Sequence, residues 1–109
     1  MTPFEYTFSA QVWKYEGKGG WYFISVPPEL SAQISVDFGS KKRGWGSIPI
    51  TVRTGLSVWQ TSLFPDSRTK TYLMPLKASV RKAESIHDGN MIVFTVTLRG
   101  VQFKEIVKE

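Results

Sequence analysis

The order strand, loop, strand, helix is written twice into this chain of 109 residues. Val12-Trp13, a loop, Tyr22-Phe23-Ile24 and then Leu30 match Val58-Trp59, a loop, Tyr72-Leu73-Met74 and then Val80, at offsets of 46 and then 50 residues. Units of that length are too short to be separate domains and are the right size for two halves of one. Two of them close a small barrel around a pseudo-twofold axis, and closure removes the sheet edges each unit alone would expose. The weak internal repeat therefore predicts one mainly β domain over 1–109. Its architecture is a small closed or partly open β-barrel of six to seven strands with two short helices. The core covers about 4–98, and 99–109 is a strand extension or tail.

The local patterns fill in that outline. Phe4 to Trp13 places Phe4, Tyr6, Phe8, Ala10 and Val12 at the period of two of a half-buried strand. The glycine-rich stretch Glu16 to Gly20 reverses the chain, and Trp21 to Val26 follows as a second strand, rich in aromatic and β-branched residues. Pro27-Pro28 ends it, and Leu30, Ile34 and Phe38 fall on one side of a short helix over about 28–37. In the second half, Ile48 to Arg53 and Ser57 to Phe64 read as strands joined by a Thr54-Gly55 turn. Pro65 to Arg68 reads as a loop, and a strand starts at Thr71. A helix over Lys77 to Ser85 carries Val80, Ala83 and Glu84 at helical spacing, and a turn over His87 to Asn90 closes it. A last strand, Met91 to Leu98, has Ile92, Phe94, Val96 and Leu98 on one face. Trp13, Trp21 and Trp59 are expected in the core or at the barrel mouth, where aromatic rings bury most area.

With 41% hydrophobic residues the chain has the material for a packed core. It has no cysteine, which removes disulfides, thiolate metal clusters and cysteine nucleophiles. No apolar run approaches the roughly 18 residues of a membrane span and no signal segment leads the sequence, so a cytoplasmic location is the expectation. Charge is unevenly spread. Between Lys41 and Lys82 nine basic residues face one acid, Asp66, a balance of +8, while the remainder holds five basic and eight acidic residues, a balance of −3. That asymmetry points to an anionic partner, against the alternative of lysines and arginines simply solvating a barrel surface.

The pieces Val12-Trp13 with Gly20-Trp21-Tyr22-Phe23, Arg43-Gly44-Trp45-Gly46-Ser47 with Pro49, Trp59 to Pro65, and Tyr72 to Lys77 with Val80-Arg81 resemble, in that order, the bacterial family catalogued as domain of unknown function 1905. The similarity runs from about Phe4 to Leu98. It implies a small bacterial β-barrel and brings no established activity with it.

An inventory of reactive groups gives no catalytic residue. His87 is the single histidine and sits in a turn beside Asp88, with nothing in the spacing to bring it to Ser47 or Ser62 in a relay. One histidine, no cysteine and singly scattered acids supply no metal site, and no cofactor motif is present. The stronger candidate is Arg43-Gly44-Trp45-Gly46-Ser47. Its glycines let backbone approach a ligand, Arg43 offers a planar fork of donors and Trp45 a stacking face. Arg53, Ser62, Lys77 and Arg81 would join Arg43 and Trp45 if the barrel brings them near, with Thr61 adding a second hydroxyl. The expected function is thus a non-catalytic binding module for a small anionic or aromatic ligand. The alternative is a nucleic-acid surface with Trp45 as its stacking platform, and an enzyme ranks third. Three phosphate contacts on duplex DNA would give a log–log salt slope of about −2.7.

Overall fold

A computed structural model describes residues 4–38 and 46–100. Among them run β1 (Glu5–Lys14), β2 (Tyr22–Ser25), α1 (Pro28–Phe38), β3 (Ile48–Thr54), β4 (Ser57–Asp66), β5 (Thr71–Pro75), α2 (Ala78–Ala83) and β6 (Met91–Leu98). The strands close into an antiparallel barrel in the order β1-β2-β5-β4-β3-β6. The expected tail lies outside the described residues from Val101 on.

The repeat is visible in the topology. Exchanging β1, β2 and β3 with β4, β5 and β6 leaves the cyclic order unchanged, with β2·β5 and β3·β6 as the pairings between equivalent strands. Ile24 lies directly opposite Met74, its counterpart in the duplicated pattern, and both are fully buried. One end of the barrel gathers the starts of β1, β3 and β5, and α1, leaving the end of β2, sits there. The other end gathers the ends of those strands, and α2, leaving β5, sits there.

Alternation then sorts the side chains. Phe8, Ala10 and Val12 of β1, Ile48, Ile50 and Val52 of β3, and Phe94, Val96 and Leu98 of β6 point inward and are buried. Ile34 of α1 and Val80 of α2 bury from the two ends, and Leu30 and Phe38 pack against the same core from α1. Ile86 joins the core just after α2, whereas Ala83 is exposed. Ser31 fastens α1 to the barrel. Its hydroxyl donates to the Val26 carbonyl at 3.2 Å and accepts from the Tyr72 N–H at 3.2 Å. At the same end Tyr6 donates to Asp37 Oδ2 at 2.6 Å. Burial, and then the Asp37 carboxylate as hydrogen-bond partner and as charge, push the Tyr6 phenol well above its ordinary value. At the other end Glu84 accepts from the Ser57 hydroxyl at 2.6 Å and from the Leu56 N–H at 3.2 Å, tying α2 to the β3–β4 turn.

Three sequence expectations need correction. Val12 is buried and Val58 is 62% exposed, while Trp59 is buried, so the residue on β4 equivalent in orientation to Val12 is Trp59. A shift of one residue reverses the face of every side chain in a strand, and a matching dipeptide carries no information about which face is which. Pro65 and Asp66 belong to β4 and pair with Tyr72 and Thr71, so the loop starts at Ser67. Proline fits there because the N–H and C=O of Tyr72 are directed to Ser31 and Val26, away from β4, so Pro65 has no ladder bond to donate. Trp21, expected in the core or at the mouth, is 54% exposed just before β2. Trp59 is in the core, and Trp13 is half-buried on the outer surface, its Nε1–H donating to Ser25 Oγ at 3.1 Å.

Candidate functional site

The outer surface of β2 explains the exposed Trp21. Trp21, Tyr22 and Phe23 are three aromatic residues in succession, and a barrel wall has one inside. Tyr22 shares the inward parity of Ile24 and is half-covered at the α2 end, so Trp21 and Phe23 are left on the other side. Phe23 becomes the centre of an external aromatic cluster. Trp13 lies 5.1 Å from it, centroid to centroid, Trp21 stacks near-parallel at 6.2 Å and 15°, and Tyr15 meets it edge-on at 6.4 Å. Across the wall, Phe64 of β4 sits opposite Leu73 of β5. Tyr15, Trp21, Phe23, Phe64 and Leu73 together line an open, almost wholly apolar groove of about 480 Å³.

The β1–β2 hairpin holds two of these rings by having glycine beneath them. A Cβ on Gly19 would stand 2.8 Å from Trp21 Nε1 and 2.9 Å from its Cδ1, and Gly19 also has a φ of +100°, where only glycine is unstrained. A Cβ on Gly17 would collide with the Tyr15 ring. Each of the two rings thus lies against bare glycine backbone.

Trp21 also walls a second hollow, of about 320 Å³, with Gly19 and Gly20 on one side and Pro75 to Ala78 and Arg81 on the other. Its charged residues are Lys77 and Arg81. The Arg81 guanidinium carbon lies 3.9 Å from the Tyr22 ring centroid, and its Nε–H donates to the Leu76 carbonyl at 3.1 Å, which fixes the plane of the fork. Lys14 Nζ approaches the same Tyr22 ring at 5.9 Å. The nearby acids Glu16 and Asp88 line a separate hollow with Lys14 and Gly17 that shares Tyr15.

Among the sequence-derived candidates, Lys77 and Arg81 are brought together. Arg53 and Ser62 are not in that hollow. Both are on outward positions of the wall, Arg53 between Val58 and Thr95 and Ser62 opposite Pro49. Thr61 has the inward parity of Trp59 and Leu63 and stands opposite Ile50. Arg43 and Trp45 lie outside the described residues. Of the other basic residues of the middle segment, Arg68 lies in the β4–β5 turn beside Asp66 at 3.5 Å, Lys70 is in the same turn and Lys82 is on α2, while Lys41 and Lys42 lie outside the described residues. His87 is exposed in the turn before β6, its backbone N–H donating to Asn90 Oδ1 at 2.8 Å. No group of three or more His, Asp or Glu side chains able to hold a metal ion occurs among the described residues. No helix among them is long and apolar enough to cross a membrane.

Sequence reading missed Trp21, Tyr15 and Phe64 as site residues. The signal for Trp21 was present in the unbroken aromatic run, which no single inner face accommodates. Phe64 is an apolar residue at an outward position next to buried Leu63, and only the pairing with Leu73 places it beside β2's outer face.

The geometry defines a class: a closed six-stranded antiparallel barrel, a helix at each end, with an aromatic outer wall meeting a basic hollow. The chain belongs to the family described as domain of unknown function DUF1905, whose model matches residues 8–96. That range reaches into all six strands and contains both helices and both hollows. No curated protein matches the chain.

Proposed function

We propose that the protein is a non-catalytic binding module whose ligand site is the hollow between the β1–β2 hairpin and α2, and that it takes a small anionic ligand there. The observation that carries this reading is the convergence of Lys77 and Arg81 on one concave surface without an acid among its lining residues. A guanidinium held flat by Tyr22 and the Leu76 carbonyl is an oriented donor fork rather than a mobile surface charge, which suits a carboxylate or phosphate. Ligand pockets combine apolar walls with a few convergent polar groups, and this one has Trp21, Pro75 and Leu76 as walls. A nucleic-acid surface fits less well, since Arg53, Arg68 and Lys77 with Arg81 face different parts of the barrel rather than one track.

A thermal-shift screen of nucleotides, phosphorylated metabolites and carboxylates tests the reading. A ligand at ten times its Kd adds about 1.4 kcal/mol, roughly 5 °C or more for a domain of this size. The shift is expected to disappear in Lys77→Gln. The reading fails if no anion raises the melting temperature, or if the rise survives in both Lys77→Gln and Arg81→Gln.

A further inference from the structure

The basic hollow and the aromatic groove have one wall in common, the Trp21 indole. We infer that they are two halves of one site, and that the ligand is a planar aryl anion whose ring stacks in the groove on Trp21 and Phe23 while its carboxylate or phosphate reaches Lys77 and Arg81. This deepens the function proposed above and rests on it.

Three observations carry the inference. First, the groove is exposed yet organised. Tyr15 is 48%, Trp21 54% and Phe64 45% exposed, so folding leaves apolar area uncovered that burial would otherwise remove from water. Second, the rings are held in place without any ligand. Gly17 and Gly19 are the seats of Tyr15 and Trp21, and the Trp21–Phe23 stack fixes the plane a ligand ring would meet. A surface set beforehand loses less conformational freedom on binding. Third, the charges on the Trp21 side of the groove are both basic, while the acids Glu16 and Asp88 stand on its Tyr15 side, beyond the other end. The basic pair in the adjoining hollow favours an anion and disfavours the cations that aromatic clusters otherwise attract.

Three probes separate the parts: 1-naphthyl phosphate carries ring and anion, methyl phosphate the anion alone, and 1-naphthol the ring alone. Calorimetry on the full chain is expected to give 1-naphthyl phosphate at least tenfold tighter binding than either of the others. Trp21→Ala should weaken 1-naphthyl phosphate at least tenfold and methyl phosphate by a clearly smaller factor, since Trp21 is only an apolar wall of the anion hollow. Phe64→Ala, on an exposed ring of the opposite strand, should act in the same direction more weakly. Lys77→Gln should weaken both phosphates and leave 1-naphthol unchanged. If methyl phosphate binds as tightly as 1-naphthyl phosphate and Trp21→Ala changes neither, the hollow stands alone and the inference is wrong. If 1-naphthol matches 1-naphthyl phosphate and Lys77→Gln is silent, the groove is an apolar surface without an anion half, which also overturns it. If neither phosphate binds at all, the anion-binding function fails and the inference fails with it.

Discussion

The barrel has two outer walls built on the same inner core, and they differ in chemistry. On β1, β6 and β3 the outward positions are Thr7, Ser9, Gln11, Thr95, Thr97, Thr51 and Arg53, with Thr7 and Thr95 sharing a hydroxyl hydrogen bond of 2.9 Å. Met91 and Val93 interrupt that surface toward the α2 end, and Pro49 does so at the start of β3. On β2, β5 and the adjoining ends of β1 and β4, the outward positions Trp13, Phe23, Leu73, Phe64 and Pro75 are apolar, with Ser25 and Thr71 as polar members toward the α1 end. The first wall obeys the rule for a half-solvated antiparallel sheet, apolar in and polar out. The second breaks it, although the inward residues Ile24, Tyr72 and Met74 on β2 and β5 are already buried in the core. Where local rules fail without a structural need, function is the usual reason.

The comparison is broken most severely from inside. Ile24, at the point where β2 meets β5 across the pseudo-twofold, is fully buried, and Ile24→Ala should cost about 2–5 kcal/mol in urea unfolding. Because one core supports both walls, a single cooperative transition is expected in that variant. Next in size is the contrast between the walls themselves. Trp21→Ala should remove at least a factor of ten in affinity for an aryl anion while costing about 0.5–1.5 kcal/mol in stability for its lost stack on Phe23. Thr51→Ala, an outward change on the polar wall, should leave affinity unchanged. Equal losses from the two substitutions would erase the distinction.

A smaller effect tests how the polar side holds its helix. Tyr6→Phe deletes the hydrogen bond from β1 to Asp37 on α1 and should cost about 1–3 kcal/mol at neutral pH, as for bonds to charged groups. The sign of its pH dependence follows from the raised phenol. A group whose folded pKa lies above its unfolded one adds stability that is complete below the ordinary tyrosine value of about 10 and is lost as pH rises beyond it. Urea midpoints should therefore fall more between pH 9 and 11 in the native protein than in Tyr6→Phe.

The smallest effect concerns Asp66, where β4 turns into β5. Burial pushes its carboxyl up, but the Thr69 hydroxyl at 3.1 Å, the Arg68 N–H at 3.2 Å and the Arg68 guanidinium outweigh that and hold it below the usual carboxylate value. Its contribution is complete above about pH 4 and is lost as pH falls through the lowered value. Asp66→Asn should flatten that part of the acid limb of the stability curve.

The frame is legible in the sequence because most strands alternate and most turns carry a glycine or proline, the β4–β5 turn over 67–70 being an exception. Met91–Leu98 was bounded to the residue, and Ile34, Phe94, Val96 and Leu98 were on the expected faces. What misled was local ambiguity of face. Val58-Trp59 mimics Val12-Trp13 in letters while presenting the opposite orientation, and Pro65 breaks a strand pattern without breaking the strand. For the site, Lys77 and Arg81 were legible as a basic pair one helical turn apart. Their meeting with Trp21, 56 and 60 residues away in the chain, depends on β2 pairing with β5, which no local pattern specifies.

The most direct test of the two-wall account is a ¹H–¹⁵N correlation spectrum of the protein titrated with 1-naphthyl phosphate. The account predicts that the Trp21 indole N–H, the Gly19 and Gly20 amides and the amides around Lys77 shift together with one saturation curve, while Thr7, Ser9, Thr51 and Thr95 stay fixed. Shifts confined to the β1, β6 and β3 wall, or no saturable shift at Trp21, would contradict it.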